Sequence, residues 1–199
     1  MHPNRAFHDL TEEQALAAAE RVAFAHIFAV VDGGPMVAHA PIVRSGDRTF
    51  LFHLARGNRI ARHLDGATML ASVVGEHGYI TPNWYQPPGD QVPTWNYIGI
   101  ELEGTARLMP DEALIRQLDR LAELHEPGLG APPWTREKMT PSVFDAMRKA
   151  IQAFEIVVNA VRITNKLSQN KPAQDREGVI AGLEASGNGA LAAAMRLKR

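Results

Sequence analysis

Residues 27–54 read Ile27-Phe-Ala-Val-Val31, Asp32-Gly-Gly-Pro35, Met36-Val-Ala-His-Ala-Pro-Ile-Val-Arg44, Ser45-Gly-Asp47 and Arg48-Thr-Phe-Leu-Phe-His-Leu54. Three apolar runs separated by short Gly-containing breaks predict an antiparallel meander, because such breaks suit tight hairpin turns. In the third run Phe50, Phe52 and Leu54 share one face of a strand, while Thr49, Leu51 and His53 share the other. One face packs a core. The other presents His53 to something polar.

Outward from this meander the pattern repeats. Residues 68–75 and 77–81 give two strand-like pieces around Gly75, and residues 97–109 alternate with Ile98, Ile100 and Leu102 on one face. About six strands dense in turns favour a closed or partly closed small β-barrel. The fold class is therefore mainly β with peripheral helices (α+β). Thr11-Glu-Glu-Gln14 reads as a capping box opening a helix over residues 12–25. Residues 111–126 form an amphipathic helix carrying Leu114, Ile115, Leu118, Leu121 and Leu124, and residues 142–152 read as a further helix. A β run over residues 156–163 rejoins the sheet, so the barrel is one domain. After Asn165 a polar segment, Lys166-Leu-Ser-Gln-Asn-Lys171, leads to a hinge at Pro172–Arg176. Small alanine-rich helices follow, interrupted at Gly187-Asn-Gly189. Residues 1–172 are read as the barrel domain with its N-terminal helix, and 173–199 as its helical extension. The Gly187–Ala192 pattern is set aside as a dinucleotide motif, since no strand precedes it.

Composition limits the function classes. The 199 residues are 45% hydrophobic and 22% charged, ordinary for a globular domain. No apolar run reaches the length of a membrane span, and the first eight residues lack a signal-type apolar core. The absence of cysteine excludes disulfides and thiolate metal sites, and favours a cytoplasmic home. A net charge of −1 gives no global basic field for nucleic acid. The eight histidines form no metal motif, and neither a Gly-x-Ser-x-Gly elbow nor a P-loop is present.

Two stretches carry site chemistry. Tyr79 to Tyr97 holds two of the three tryptophans, all three tyrosines and four of the thirteen prolines. Its aromatics either cover a flat ligand or partner, or plug the end of a barrel. Arg56-Gly-Asn58-Arg59, after a strand and before a helical rhythm, suits a phosphate held by guanidinium groups and free helix amides, with a solvated loop as the alternative.

Tyr79-Ile-Thr-Pro-Asn-Trp-Tyr85, Val92-Pro-Thr-Trp-Asn-Tyr97, Phe52-His-Leu-Ala-Arg-Gly-Asn58 and Lys166–Lys171, with the opening Met1-His-Pro-Asn-Arg and Phe7, resemble the PaiB-type family of FMN-binding transcriptional regulators. That family belongs to the FMN-binding split-barrel superfamily shared with pyridoxamine-phosphate oxidases. The resemblance implies an FMN-binding split β-barrel, a homodimer, and FMN at the subunit interface. It assigns cofactor contacts to His39, His53, Arg56, Asn58, Arg59, Tyr79, Trp95, Lys166, Gln169, Asn170 and Lys171. DNA enters as a partner through family analogy alone, and the densest basic cluster beyond the Arg turn is Arg196, Lys198 and Arg199. A flavin-dependent oxidoreductase and a non-catalytic flavin sensor are the alternative functions.

Overall fold

The computed structural model describes residues 2–31, 33–86, 90–130 and 132–198. Six strands are found among them: β1 (Phe24–Val31), β2 (Gly34–Gly46), β3 (Thr49–Ala55), β4 (Thr68–Ile80), β5 (Thr94–Leu108) and β6 (Ile151–Lys166). They close into a barrel in the order β1-β2-β3-β6-β5-β4. The helices are α1 (Glu12–Val22), α2 (Asp111–His125), α3 (Pro141–Arg148), α4 (Ala173–Ala185) and α5 (Gly189–Leu197). The chain divides into two compact units. One comprises Met1–Ala18, Val74–Ile100 and Arg162–Arg199; the other comprises Ala19–Val73 and Glu101–Val161.

The second unit contains the meander. β1 and β2 pair with Ile27 opposite Ala38, and β2 and β3 with Ile42 opposite Phe52. β3 pairs with β6 over Thr49–Ala55, placing Phe52 opposite Phe154. Those two rings stack at 5.4 Å, and Phe50, Phe52 and Leu54 are buried as their alternation predicts. The other face of β3 lies under α2, where Val43, Leu51 and Ala113 form a second small core.

In the first unit α4 and α5 pack with Ile80, Tyr85 and Leu167 around Val179, Ile180, Leu183, Leu191 and Met195. Trp84, in the 3-10 turn Pro82–Trp84, lies on the α4 surface at Gly178 and Gly182. A Cβ on Gly178 would stand 2.0 Å from the Trp84 carbonyl oxygen, and one on Gly182 would stand 2.3 Å from the indole ring. Only hydrogen fits at either position.

The capping box is present in both directions: Thr11 N donates to Gln14 Oε1 at 2.8 Å, and Gln14 N to Thr11 Oγ1 at 3.2 Å. Several boundaries differ from the sequence reading, among them the end of α1 at Val22 instead of residue 25 and the start of β5 at Thr94 instead of residue 97. The two pieces around Gly75 are one strand, β4, with no turn at the glycine. The third helix ends at Arg148 and β6 begins at Ile151, because pairing with β3 captures residues that had a helical rhythm. The expected hinge at Pro172–Arg176 is instead the first turn of α4.

Replacing Gly178 by Ala tests the seat of Trp84. Alanine adds up to about 1 kcal/mol of helix propensity, but overpacking costs about 1–3 kcal/mol. The clash is with backbone, so Gly178→Ala is expected to lower the denaturation midpoint and shift tryptophan emission. Gly189→Ala, whose Cβ would meet nothing within 4 Å, is the control and is expected to be neutral or stabilising.

Candidate functional site

Strand alternation divides the aromatic stretch. His77 and Tyr79 on β4 approach Trp95 on β5, each with ring centroids 6.3 Å from the indole. Tyr79 is 53% exposed and Trp95 48%, so these rings form an open aromatic surface. Tyr85 and Trp84 instead pack against α4 and α5. The stretch therefore splits into one pair of rings open to solvent and one pair packed on helices. Pro87, Pro88 and Gly89 lie outside the described residues.

On the alternate positions of β5, Thr94 and Asn96 meet the segment after β6. The Lys166 ammonium donates to Thr94 Oγ1. Asn96, fully buried, donates through Nδ2 to Ser168 Oγ at 2.9 Å, and its Oδ1 accepts from the same hydroxyl at 3.3 Å. Lys171 Nζ donates to Gln91 Oε1 at 2.6 Å and stands 4.8 Å from the centre of the Tyr85 ring. Burial lowers the pKa of Lys166, and the nearby charge of Lys171 lowers it further. Burial raises the pKa of the Tyr85 phenol, with a second push from Asp175. The Tyr85 hydroxyl is buried without a hydrogen-bond partner. Gln169 braces its own turn: its Nε2 donates to Ala6 O and Asn165 O, and its Oε1 accepts from Leu167 N. Asn170 is exposed.

In the other unit, Arg56 donates to Lys149 O at 2.9 Å and to Gln152 Oε1 at 3.1 Å. The amides after it are used locally: Asn58 N donates to Ala55 O, Ile60 N to Asn58 Oδ1 and Ala61 N to Asn58 O. The chain then enters the three-residue 3-10 turn Ala61–His63. The helix start expected to supply free amides there is not formed. Arg59 is exposed. His39 projects on the outer side of the β1–β2 hairpin opposite His26, with ring centroids 4.9 Å apart.

His53 lies beneath α2. Gln117 is fully buried, and its Nε2 donates to Pro41 O and Leu51 O. Its Oε1 is therefore an acceptor, so the imidazole Nδ1, 3.2 Å away, carries the proton. Burial lowers the His53 pKa, and the Gln117 contact raises it by less.

The structure thus brings Tyr79 to Trp95 on one face of β5 and Lys166 to Thr94 on the other, with Lys171 near Lys166. Sequence reasoning missed Thr94, Asn96 and Gln117. An asparagine between Trp95 and Tyr97 in a strand was the available signal, since a polar residue on an inward position needs a partner. At the C-terminus Arg196 pairs with Glu184, and Lys198 with Asp9 at 2.6 Å. Arg199, third of the expected basic cluster, lies outside the described residues.

A sequence family described as "Putative FMN-binding domain" matches residues 1–160. The chain belongs to that family. It is 29% identical over 166 residues to protease synthase and sporulation protein PAI 2 of Bacillus subtilis (strain 168), covering 81% of this chain and 78% of that protein. It is therefore of the PaiB type, and its cofactor is a flavin. Its fold is similar to that of the FAD and heme binding protein from Mycobacterium smegmatis, with a TM-score of 0.59 and 20% identity over 87% of this chain and 79% of that one. The flavocytochrome Anf3 from Azotobacter vinelandii gives a TM-score of 0.60 and 16% identity over 83% and 72%. These two likenesses concern the fold. The family match ends before Lys166, so the lysine segment and both C-terminal helices lie beyond it.

His53 makes stability depend on pH in a defined direction. Its folded pKa lies below the ordinary value of 6.5, so between the two values the unfolded chain binds more protons. That contribution to stability is complete above about pH 6.5 and is lost as pH falls below it. Denaturant midpoints at pH 7.5 and 5 are expected to fall less in His53→Gln than in the parent protein.

Proposed function

We propose that this chain is a cytoplasmic, homodimeric FMN-binding protein of the PaiB type that acts in transcriptional regulation, with FMN at the subunit interface. The carrying observation is the lysine pair. Lys166 and Lys171 are close enough for one to depress the other, and their hydrogen-bond partners are the neutral Thr94 and Gln91. Among the described residues neither is in an ion pair. A phosphate monoester brings a charge of about −1.5 to −2 at pH 7, which two ammonium groups would neutralise. Tyr79 and Trp95, on the opposite face of β5, offer a flat amphipathic surface for the tricyclic ring of an FMN whose phosphate is held by the second copy. The donor set therefore fits FMN. In this reading Gln169 and Asn170 shape the same segment, while Arg56, Asn58 and Arg59 are the second candidate for the phosphate. When bound, FMN would supply a redox-active ring. The protein's own groups bind and orient it.

The homodimer is supported by the outer side of the β1–β2 hairpin. Phe24, Phe28, Val30 and Val37 are exposed there, Val30 at 77%, with His26 and His39 between them. A contiguous apolar strip of this kind marks an interaction surface, and a second copy would bury it with His39 at or near the contact. The regulatory role is supported by the PaiB-type membership. Because Arg196 and Lys198 are already paired within the chain, few cations are left there for DNA. Any DNA affinity then has a shallow salt dependence, about −0.9 in log–log slope per phosphate neutralised.

Four measurements test these claims. The purified protein is expected to show the visible absorption of oxidised flavin and to retain FMN over riboflavin. Lys171→Gln should weaken FMN by roughly 1.5–3 kcal/mol, the range for hydrogen bonds to charged groups, and riboflavin by much less. Equal affinity of variant and parent for FMN would move the phosphate to the Arg56 turn. Sedimentation should give a dimer at micromolar protein, and Val30→Glu a monomer. Steady NAD(P)H oxidation without sequence-preferring DNA binding at low salt would instead make the protein a flavin-dependent oxidoreductase.

A further inference from the structure

The segment Thr164–Gln169 is gripped residue by residue from both chain ends. His2 N donates to Thr164 Oγ1 at 3.2 Å, and Asn165 Nδ2 to Asp9 Oδ1 at 3.1 Å. Arg176 Nη1 donates to Leu167 O at 3.0 Å, and Gln169 Nε2 to Ala6 O at 3.1 Å. Asn165, Leu167 and Ser168 are all buried. Asn165 Oδ1 has no partner, so the bond to Asp9 is the anchor of that carboxamide. Ser168 is held at φ 58°, a left-handed conformation that a non-glycine residue keeps only when its surroundings impose it.

Two of these grips have a second arm on the last turn of α5. The other oxygen of Asp9 receives Lys198 Nζ at 2.6 Å. The other amine of Arg176 donates to Met195 O at 2.8 Å and to Lys198 O. Those carbonyls belong to the end of a helix, where the intrahelical ladder has run out and donors are wanted. One carboxylate therefore joins the end of α5 to the Asn165 side chain just before Lys166, and one guanidinium joins it to the Leu167 carbonyl between the two lysines.

We propose that Asp9 and Arg176 are positioning residues for the FMN segment, and that the docking of the end of α5 sets FMN affinity through them. The inference rests on the reading that Lys166 and Lys171 hold FMN. Coupling of this kind is reciprocal: FMN would tighten α5, and anything that draws Lys198 away from Asp9 would loosen FMN. The C-terminal helices thereby gain a regulatory role.

The test uses the full chain and two readouts, FMN affinity by fluorescence titration and backbone amide exchange at Leu167 and Lys171 in flavin-free protein. Asp9→Ala is expected to weaken FMN by about ten-fold and to speed exchange at those amides, within the usual range of coupling between sites. Lys198→Gln removes only the arm to α5 and leaves Asn165 anchored, so it serves if Asp9→Ala fails to fold. It should weaken FMN about three- to five-fold with little change in the denaturation midpoint. Glu184→Gln breaks the Arg196 pair between α4 and α5 without touching the segment, and should change neither readout. Unchanged FMN affinity in folded Asp9→Ala or in Lys198→Gln overturns the proposal, as does an equal loss in Glu184→Gln. If Lys171→Gln leaves FMN binding intact, the lysine reading has failed instead. Exchange then still decides the clasp, with faster exchange in Asp9→Ala supporting it and unchanged exchange overturning it.

Discussion

The barrel depends on the pairing of β3 with β6, which joins parts of the chain about a hundred residues apart. Closing a loop of that length costs about 4 kcal/mol in chain entropy. Burying Phe52 and Phe154 contributes about 1.5–3 kcal/mol each, and their stacking about 0.5–1.5 kcal/mol more. The single register pair Phe52–Phe154 is thus of the size needed to offset closure. The remaining register pairs add to it. The same strand also faces outward to α2, so β3 is committed on both faces.

That double commitment makes the register specific. A one-residue slip would turn Leu51 and His53 inward and take from buried Gln117 its two partners on β3. Each buried group left unsatisfied costs about 1–3 kcal/mol. Asn96 has the corresponding part in the other unit, since its reciprocal bonds to Ser168 are satisfied at one position of the segment only. Both amides are buried polar groups whose worth lies in excluding alternatives.

Features written in local chemistry were legible in the sequence. The capping box at Thr11–Gln14, the alternation of Phe50, Phe52 and Leu54, and the α2 repeat each depend on residues within a few positions of one another, and all appear as read. The start of β6 was not legible. Residues 149–152 have a helical rhythm, and a partner strand a hundred residues earlier makes Ile151 and Gln152 extended. The lysine segment was legible as a polar run after the last strand. What holds that segment was hidden, because Asp9 and Arg176 look like surface residues until the fold brings them to Asn165 and Leu167. The turn at Arg56–Arg59 shows the reverse. Its composition suggests an anion site, yet the amides of Arg56 and Asn58 and the Arg56 guanidinium bond within the chain.

The lysine segment departs from what stability alone would select. A left-handed non-glycine residue costs of order 1–3 kcal/mol, and glycine at position 168 would remove that cost but also the hydroxyl that Asn96 needs. A carboxylate beside Lys166 and Lys171 would relieve their repulsion. Asp175, the acid near Tyr85, instead accepts from the backbone amide of Gln86 at 3.0 Å. Among the described residues neither cation is in an ion pair, and the segment that carries them is hydrogen-bonded to residues 2–9 and to Arg176. Strain and unpaired charge persist where the surroundings over-determine them, and they are useful where a ligand supplies the missing partner. An anion between Lys166 and Lys171 would supply it, converting a standing electrostatic cost of the free protein into binding energy for the phosphate of FMN.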